Sequence, residues 1–156
     1  MRCGVHGHQF VNLLAVPEPQ CYPPHFSAVR SPSDLKPLTI LAIDDDPAML
    51  LLYQAFLKSK GHTVVIANDG IEGLSRLKET RFDLVLTDHA MPGMNGYEVG
   101  AAVKALHPHL PVVMVSGSIE WLPLPLDGIA AIDVLVRKPF NFAELLAGIA
   151  KALTPV

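Results

Sequence analysis

From residue 38 onward, short continuous apolar runs alternate with longer segments whose apolar residues recur every three or four positions. The continuous runs are residues 38–43 (LTILAI), 63–67, 82–87 (FDLVLT), 111–115 (PVVMV) and 132–136. Runs this short and this uniformly apolar suit strands buried on both faces. Between them, residues 47–60, 71–79, 97–106 and 142–153 carry helical spacing, as Met49, Leu50, Tyr53, Phe56 and Leu57 do in the first segment. Strict alternation of the two patterns predicts parallel strands joined by crossover helices, a doubly wound α/β sandwich with five strands. The helix starts agree. Pro47 after Asp46 suits the first helical position. Asp69 with Glu72, Asn95 with Glu98 and Asn141 with Glu144 have the spacing of capping boxes.

The stretch before residue 38 reads differently. Six of the fourteen prolines fall in residues 1–37, which excludes long helices and central strands there. This segment is expected to be an irregular extension, with residues 38–156 forming one domain. It holds Cys3, His6, His8, Cys21 and His25, but at spacings that match no zinc pattern. Half of the chain is apolar, enough for a sizeable core. Fifteen acids against twelve bases give a net charge of −3, which argues against a direct grip on nucleic acid. No polybasic patch offers itself to a membrane, and no apolar run approaches the ~20 residues of a membrane span. The cytoplasm is the expected compartment.

In an open α/β sheet, ligands bind beyond the carboxyl ends of the strands. There the sequence puts Asp44, Asp45 and Asp46 after the first strand, Asp88 after the third, Ser116 after the fourth and Lys138 after the fifth. Clustered carboxylates repel unless a counter-charge joins them. A hard divalent cation such as Mg²⁺, with oxygen ligands, and a nearby Lys both supply one. A metal, an ammonium and a hydroxyl around a carboxylate are what phosphoryl transfer needs, and an Asp can itself be the nucleophile. Asp46 reads as an N-cap, Met91 and Met94 as loop packing, His89 as a loop side chain, and His62, His107 and His109 as surface residues.

The segments ILAIDDDPAML, DLVLTDHAMPGMNGYEV, VVMVSGS and VRKPF resemble the receiver domains of two-component response regulators. The resemblance spans residues 38–153 and implies a flavodoxin-like receiver fold with strand order 2-1-3-4-5. It implies that Asp88 is the phosphoacceptor and that Asp44 and Asp45 are the acidic pair holding Mg²⁺, with Asp45 the direct ligand. Asp88 and the backbone carbonyl of Ala90 would complete the protein's share of the metal shell. Ser116 would bind the phosphoryl group, and Lys138 would pair with the acceptor carboxylate, followed by a cis bond to Pro139. The implied partners are a histidine kinase or phosphotransfer protein and a downstream protein reached by contact. The chain would be a phosphoacceptor switch rather than an enzyme, acting without an output domain since few residues follow the last helix.

Two features depart from the family. Leu135 stands where receivers commonly carry Tyr or Phe, and Pro123 and Pro125 interrupt the helix expected over residues 119–128. A haloacid-dehalogenase-like phosphatase would use Asp44 and Asp46, but leaves Asp88 and its loop unexplained. A pseudo-receiver would not need the set of Asp45, Asp88, Ser116 and Lys138. A flavodoxin-like cofactor binder would need a glycine- or hydroxyl-rich phosphate loop after the first strand, which this chain lacks.

Overall fold

The computed structural model describes residues 35–117 and 130–154. The element order is β1 (Thr39–Ile43), α1 (Pro47–Ser59), β2 (Thr63–Ala67), α2 (Gly70–Glu79), β3 (Leu84–Asp88), α3 (Gly96–Leu106), β4 (Val112–Ser116), β5 (Val134–Arg137) and α4 (Phe142–Ala152). The strands form one parallel sheet in the order β2-β1-β3-β4-β5, as expected. The helix expected over residues 119–128, most of the N-terminal extension and its cysteines and histidines lie outside the described residues. Residues 35–37 have no regular structure, yet Leu35 already packs against the core.

Side chains alternate across the sheet and feed two apolar layers. Ile40, Ala42, Leu84, Leu86, Val113 and Val115 meet Leu50, Tyr53 and Leu57 of α1 and Leu145 and Ile149 of α4. Leu41, Ile43, Val85 and Val112 meet Leu77 of α2 and Val99 and Val103 of α3. Being covered on both sides is why these strands are apolar throughout.

Three strands run later than the apolar runs suggest. The 82–87 run becomes Leu84–Asp88 because Asp83 is used at the sheet's amino edge. Its N–H donates to the Thr39 carbonyl at 2.8 Å, and its carboxylate accepts from the Thr39 N–H at 2.7 Å. Strands β4 and β5 begin at Val112 and Val134, and Asp133 plays the same part between them. Its carboxylate accepts from the Val112 N–H and from Lys104 Nζ, each at 2.7 Å. At the carboxyl edge Asp88 pairs with Val115 and Ser116 with Arg137, so both are the last residues of their strands rather than the first residues beyond.

The helix caps fall where the sequence puts them, with one correction. Asp46 caps α1, accepting from the Ala48 N–H at 2.9 Å. Asn95–Glu98 and Asn141–Glu144 form reciprocal capping boxes. Asp69 accepts from the Glu72 N–H at 2.7 Å, but Glu72 does not return the bond. Its carboxylate turns to the Asn68 N–H at 2.9 Å and to Arg76 at 3.1 Å. Those two partners hold the Glu72 carboxyl below its ordinary value.

His62 corrects the sequence reading more sharply. It is 5% exposed, not a surface residue. Gly61, at φ 88°, turns the chain back after α1, and the Leu38 N–H then donates to His62 Nδ1 at 3.2 Å. His107 and His109 are exposed, and Met91 is buried in the loop, as expected.

Burial holds the His62 imidazole below its ordinary pKa, because the charged ring is poorly solvated there. Protonation would also set two donors, Nδ1–H and the Leu38 N–H, against each other. Stability from this site is therefore full above the unfolded-state value of ~6.5 and falls as pH drops below it. Unfolding measured from pH 8 to pH 5 should show the wild type losing more stability than His62→Asn, whose amide oxygen does not titrate. Equal pH slopes in the two proteins would contradict this account.

Candidate functional site

Strand order reverses between β1 and β3, and such a switch point opens a crevice at the carboxyl edge. Asp44, Asp45 and Asp46 follow β1 on one side of it. Asp88 ends β3 on the other. Ser116 ends the next strand, and Lys138 follows the edge strand β5.

Asp44 is 1% exposed. Its Oδ1 accepts from the Asp46 N–H at 2.9 Å. Its Oδ2 is buried with no hydrogen-bond partner among the described residues, and Lys138 Nζ stands 3.7 Å away. Burial pushes this carboxyl above its ordinary value, against the pull of the Asp46 N–H and of Lys138. The charges of Asp88 and Asp45 add to the upward shift. Asp45 is exposed at the rim. Asp46 is exposed and occupied as the α1 cap, in keeping with its reading as a structural residue.

Asp88 is 6% exposed and engaged at both oxygens. Lys138 Nζ approaches Oδ1 to 2.6 Å, and the Ala90 N–H donates to Oδ2 at 2.7 Å. Its backbone is pinned as well. The His89 N–H bonds the Val115 carbonyl at 2.9 Å, and the buried Thr87 hydroxyl donates to the Asp88 carbonyl at 3.0 Å. Gly96 lets α3 start directly beneath, since any Cβ there would run into the Asp88 carbonyl oxygen. Gly93, at φ 82°, makes the turn that brings the chain back. His89 is half-buried, edge-on to Tyr97 with ring centroids 5.3 Å apart, as befits a loop side chain.

Ser116 is buried, and its carbonyl accepts the Lys138 N–H at 2.8 Å, so hydroxyl and ammonium residues leave adjacent strands together. The Lys138–Pro139 bond is cis. Burial lowers the Lys138 pKa, but the hydrogen bond and charge of Asp88, then Asp44, outweigh it and leave a net rise.

The structure thus joins Asp44, Asp88 and Lys138 through charge contacts, sets Ser116 one strand over, and leaves Asp45 and Ala90 at the rim. This donor set fits a hard divalent cation. All its donors are oxygens, and Asp44 Oδ2 is a buried acceptor that lacks a hydrogen bond among the described residues. No three acidic, His or Cys side chains among the described residues close around a metal by themselves. A backbone carbonyl and retained water would have to share the shell, the manner in which Mg²⁺ is usually held. The residue that sequence reasoning missed is Tyr53. It is 1% exposed, its hydroxyl has no partner among the described residues, and its ring stacks on Phe140. Helical spacing marks Tyr53 as core but does not reveal a ring partner so far along the chain.

The sequence pattern of the response regulator receiver domain matches residues 40–150. The transcriptional regulatory protein ZraR of Escherichia coli strain K12 is 37% identical over 118 residues, which make up 74% of this chain and 26% of that protein. Among solved structures, the chemotaxis protein CheY4 of Vibrio cholerae matches with a TM-score of 0.68 at 30% identity, covering 76% of this chain and 100% of that one. TrrA of Thermotoga maritima, solved in complex with Mg²⁺ and BeF, matches with a TM-score of 0.67 at 30% identity over 74% and 98% of the two chains. The chain spans about a quarter to a half of the length of the curated relatives it matches.

A folded-state carboxyl raised above its unfolded value costs stability when charged, and that cost fades as pH falls through the carboxylate range. Asp44→Asn should therefore raise unfolding stability at pH 7, without divalent cations, by on the order of 1 kcal/mol. The gain should shrink toward pH 4 in denaturation experiments. A variant less stable than wild type at pH 7 would show that Asp44 is held by more than its burial and these partners.

Proposed function

This chain belongs to the response regulator receiver family, and from that premise we propose that Asp88 accepts a phosphoryl group from the phosphohistidine of a histidine kinase or phosphotransfer protein. The observation that carries the reading is the Asp88 carboxylate, buried at the end of the third strand and bonded to Lys138 Nζ at 2.6 Å. An Asp88 oxygen attacks phosphorus, an O–P bond forms, and the N–P bond of the donor breaks. The departing imidazole keeps the electron pair and takes a proton from solvent.

Each neighbouring group has a part in this reading. Lys138 shares the Asp88 charge before transfer and the phosphoryl charge after it. The Ser116 hydroxyl donates to a phosphoryl oxygen once the group arrives. Mg²⁺, held by Asp44, Asp45, Asp88 and the Ala90 carbonyl, with Asp45 a direct ligand, would offset negative charge on the transferring oxygens. The Ala90 N–H, already 2.7 Å from Asp88 Oδ2, keeps the carboxylate oriented. The protein catalyses only its own phosphorylation and dephosphorylation, in the cytoplasm. The domain then signals by contact with a downstream protein rather than by binding nucleic acid itself.

Incubation with acetyl phosphate and Mg²⁺, followed by peptide mass spectrometry, should find a single phosphate, on Asp88. Asp88→Asn should abolish labelling with the fold intact. Asp45→Ala should weaken Mg²⁺ binding and slow labelling together, by roughly tenfold or more for loss of one charged ligand. Phosphate on Asp44 would overturn the reading in favour of a phosphatase that uses Asp44 and Asp46.

A further inference from the structure

The Lys138 ammonium has to meet Asp88 across a segment the sheet barely holds. Among the described residues strand β5 is an edge strand, paired only with β4. The Lys138 N–H makes a last bond to the Ser116 carbonyl. Pro139 has no N–H to donate, and the next backbone anchor is the Asn141 capping box of α4. Between these two points the chain leans on α1 through aromatic rings. Tyr53 stacks on Phe140 with centroids 6.3 Å apart and planes 12° from parallel. One helical turn on, Phe56 stacks on Phe142 at 3.9 Å and 13°. Tyr53 and Phe56 share one face of α1, while Phe140 and Phe142 flank the cap residue of α4.

Helix α1 is also the helix capped by Asp46, directly after Asp44 and Asp45. The two stacks therefore set the distance between the acidic loop and the segment carrying the ammonium. We propose that Tyr53 is a positioning residue for Lys138: its ring, packed on Phe140, holds the backbone that delivers the ammonium to Asp88. The functional consequence rests on the reading of Asp88 as phosphoacceptor.

The ring does this, not the hydroxyl. The Tyr53 hydroxyl is buried with no hydrogen-bond partner among the described residues. Burial, followed by the charges of Asp44, Asp88 and Asp46, pushes the phenol well above its ordinary value, so it stays neutral. Offset parallel rings at this separation are a favoured arrangement, and a long flexible Lys gains most from a fixed backbone.

Two readouts test the proposal on the whole chain. The first is the Lys138 Nζ–Asp88 Oδ1 separation, 2.6 Å in the wild type, read from crystal structures of the variants. Tyr53→Leu should lengthen it beyond hydrogen-bond reach, and Tyr53→Phe should leave it at the wild-type value. The second is the rate of labelling by acetyl phosphate and Mg²⁺. Tyr53→Leu should slow it about tenfold and Tyr53→Phe less than about twofold, because a small misplacement of a charge at a reacting group is costly. In a Lys138→Met background, Tyr53→Leu should slow labelling no further.

A folded Tyr53→Leu protein that keeps both the wild-type Lys138–Asp88 separation and the wild-type rate would overturn the proposal. So would an equal loss from Tyr53→Leu with Lys138 present or absent. Should Tyr53→Leu fail to fold, Phe140→Leu removes the half-buried partner of the same stack and carries the same expectations. Absence of label on wild-type Asp88 would defeat the phosphoacceptor reading, and the Lys138–Asp88 separation would still decide the positioning role.

Discussion

One ammonium, 2.6 Å from Asp88 and 3.7 Å from Asp44, holds together a charge arrangement that the parallel sheet would otherwise make unfavourable. Parallel strands all deliver their carboxyl ends to the same edge, so any acidic residues there are gathered whether or not they repel. Asp44 and Asp88 are both nearly removed from water. Taking either charge out of water is costly, and only partners in fixed geometry offset that cost. Lys138 serves both. The Asp46 and Ala90 amides each serve one, and among the described residues one oxygen of Asp44 is left without a hydrogen bond.

The rest of the fold keeps this edge in place. Two apolar layers clamp the sheet, and its amino edge is tied by Asp83 to Thr39 and by Asp133 to Val112 and Lys104. Those ties set where β3 and β4 begin, while the pairing of Asp88 with Val115 and of Ser116 with Arg137 sets where they end. On the far side of Asp88, α3 starts at Gly96, where the Asp88 carbonyl leaves no room for a Cβ.

Much of this was legible in the chain because it depends on local periodicity. Apolar runs bounded by caps fixed the number, order and kind of elements within the described residues. Asp46, Asn95 and Asn141 were readable as caps because a cap is made with residues two or three positions on. Asp44, Asp88, Ser116 and Lys138 were readable as one edge because parallel topology carries strand ends together. The Glu72 partner was not, since three acceptable donors lie within four residues and only the folded turn selects among them.

By itself, then, the sequence determined the α/β alternation, the parallel sheet, the helix starts and which residues stand at the carboxyl edge. Each of these follows from interactions between near neighbours in the chain or from the handedness of the crossover. Tertiary structure alone decided that His62 is buried beneath the Leu38 amide, that Asp44 Oδ2 has no hydrogen-bond partner among the described residues while Asp88 is bonded at both oxygens, and that Tyr53 meets Phe140. These are contacts between residues far apart in sequence. Their outcome depends on helix positions and strand register to within an ångström or so, and hydrophobic periodicity carries no information at that scale.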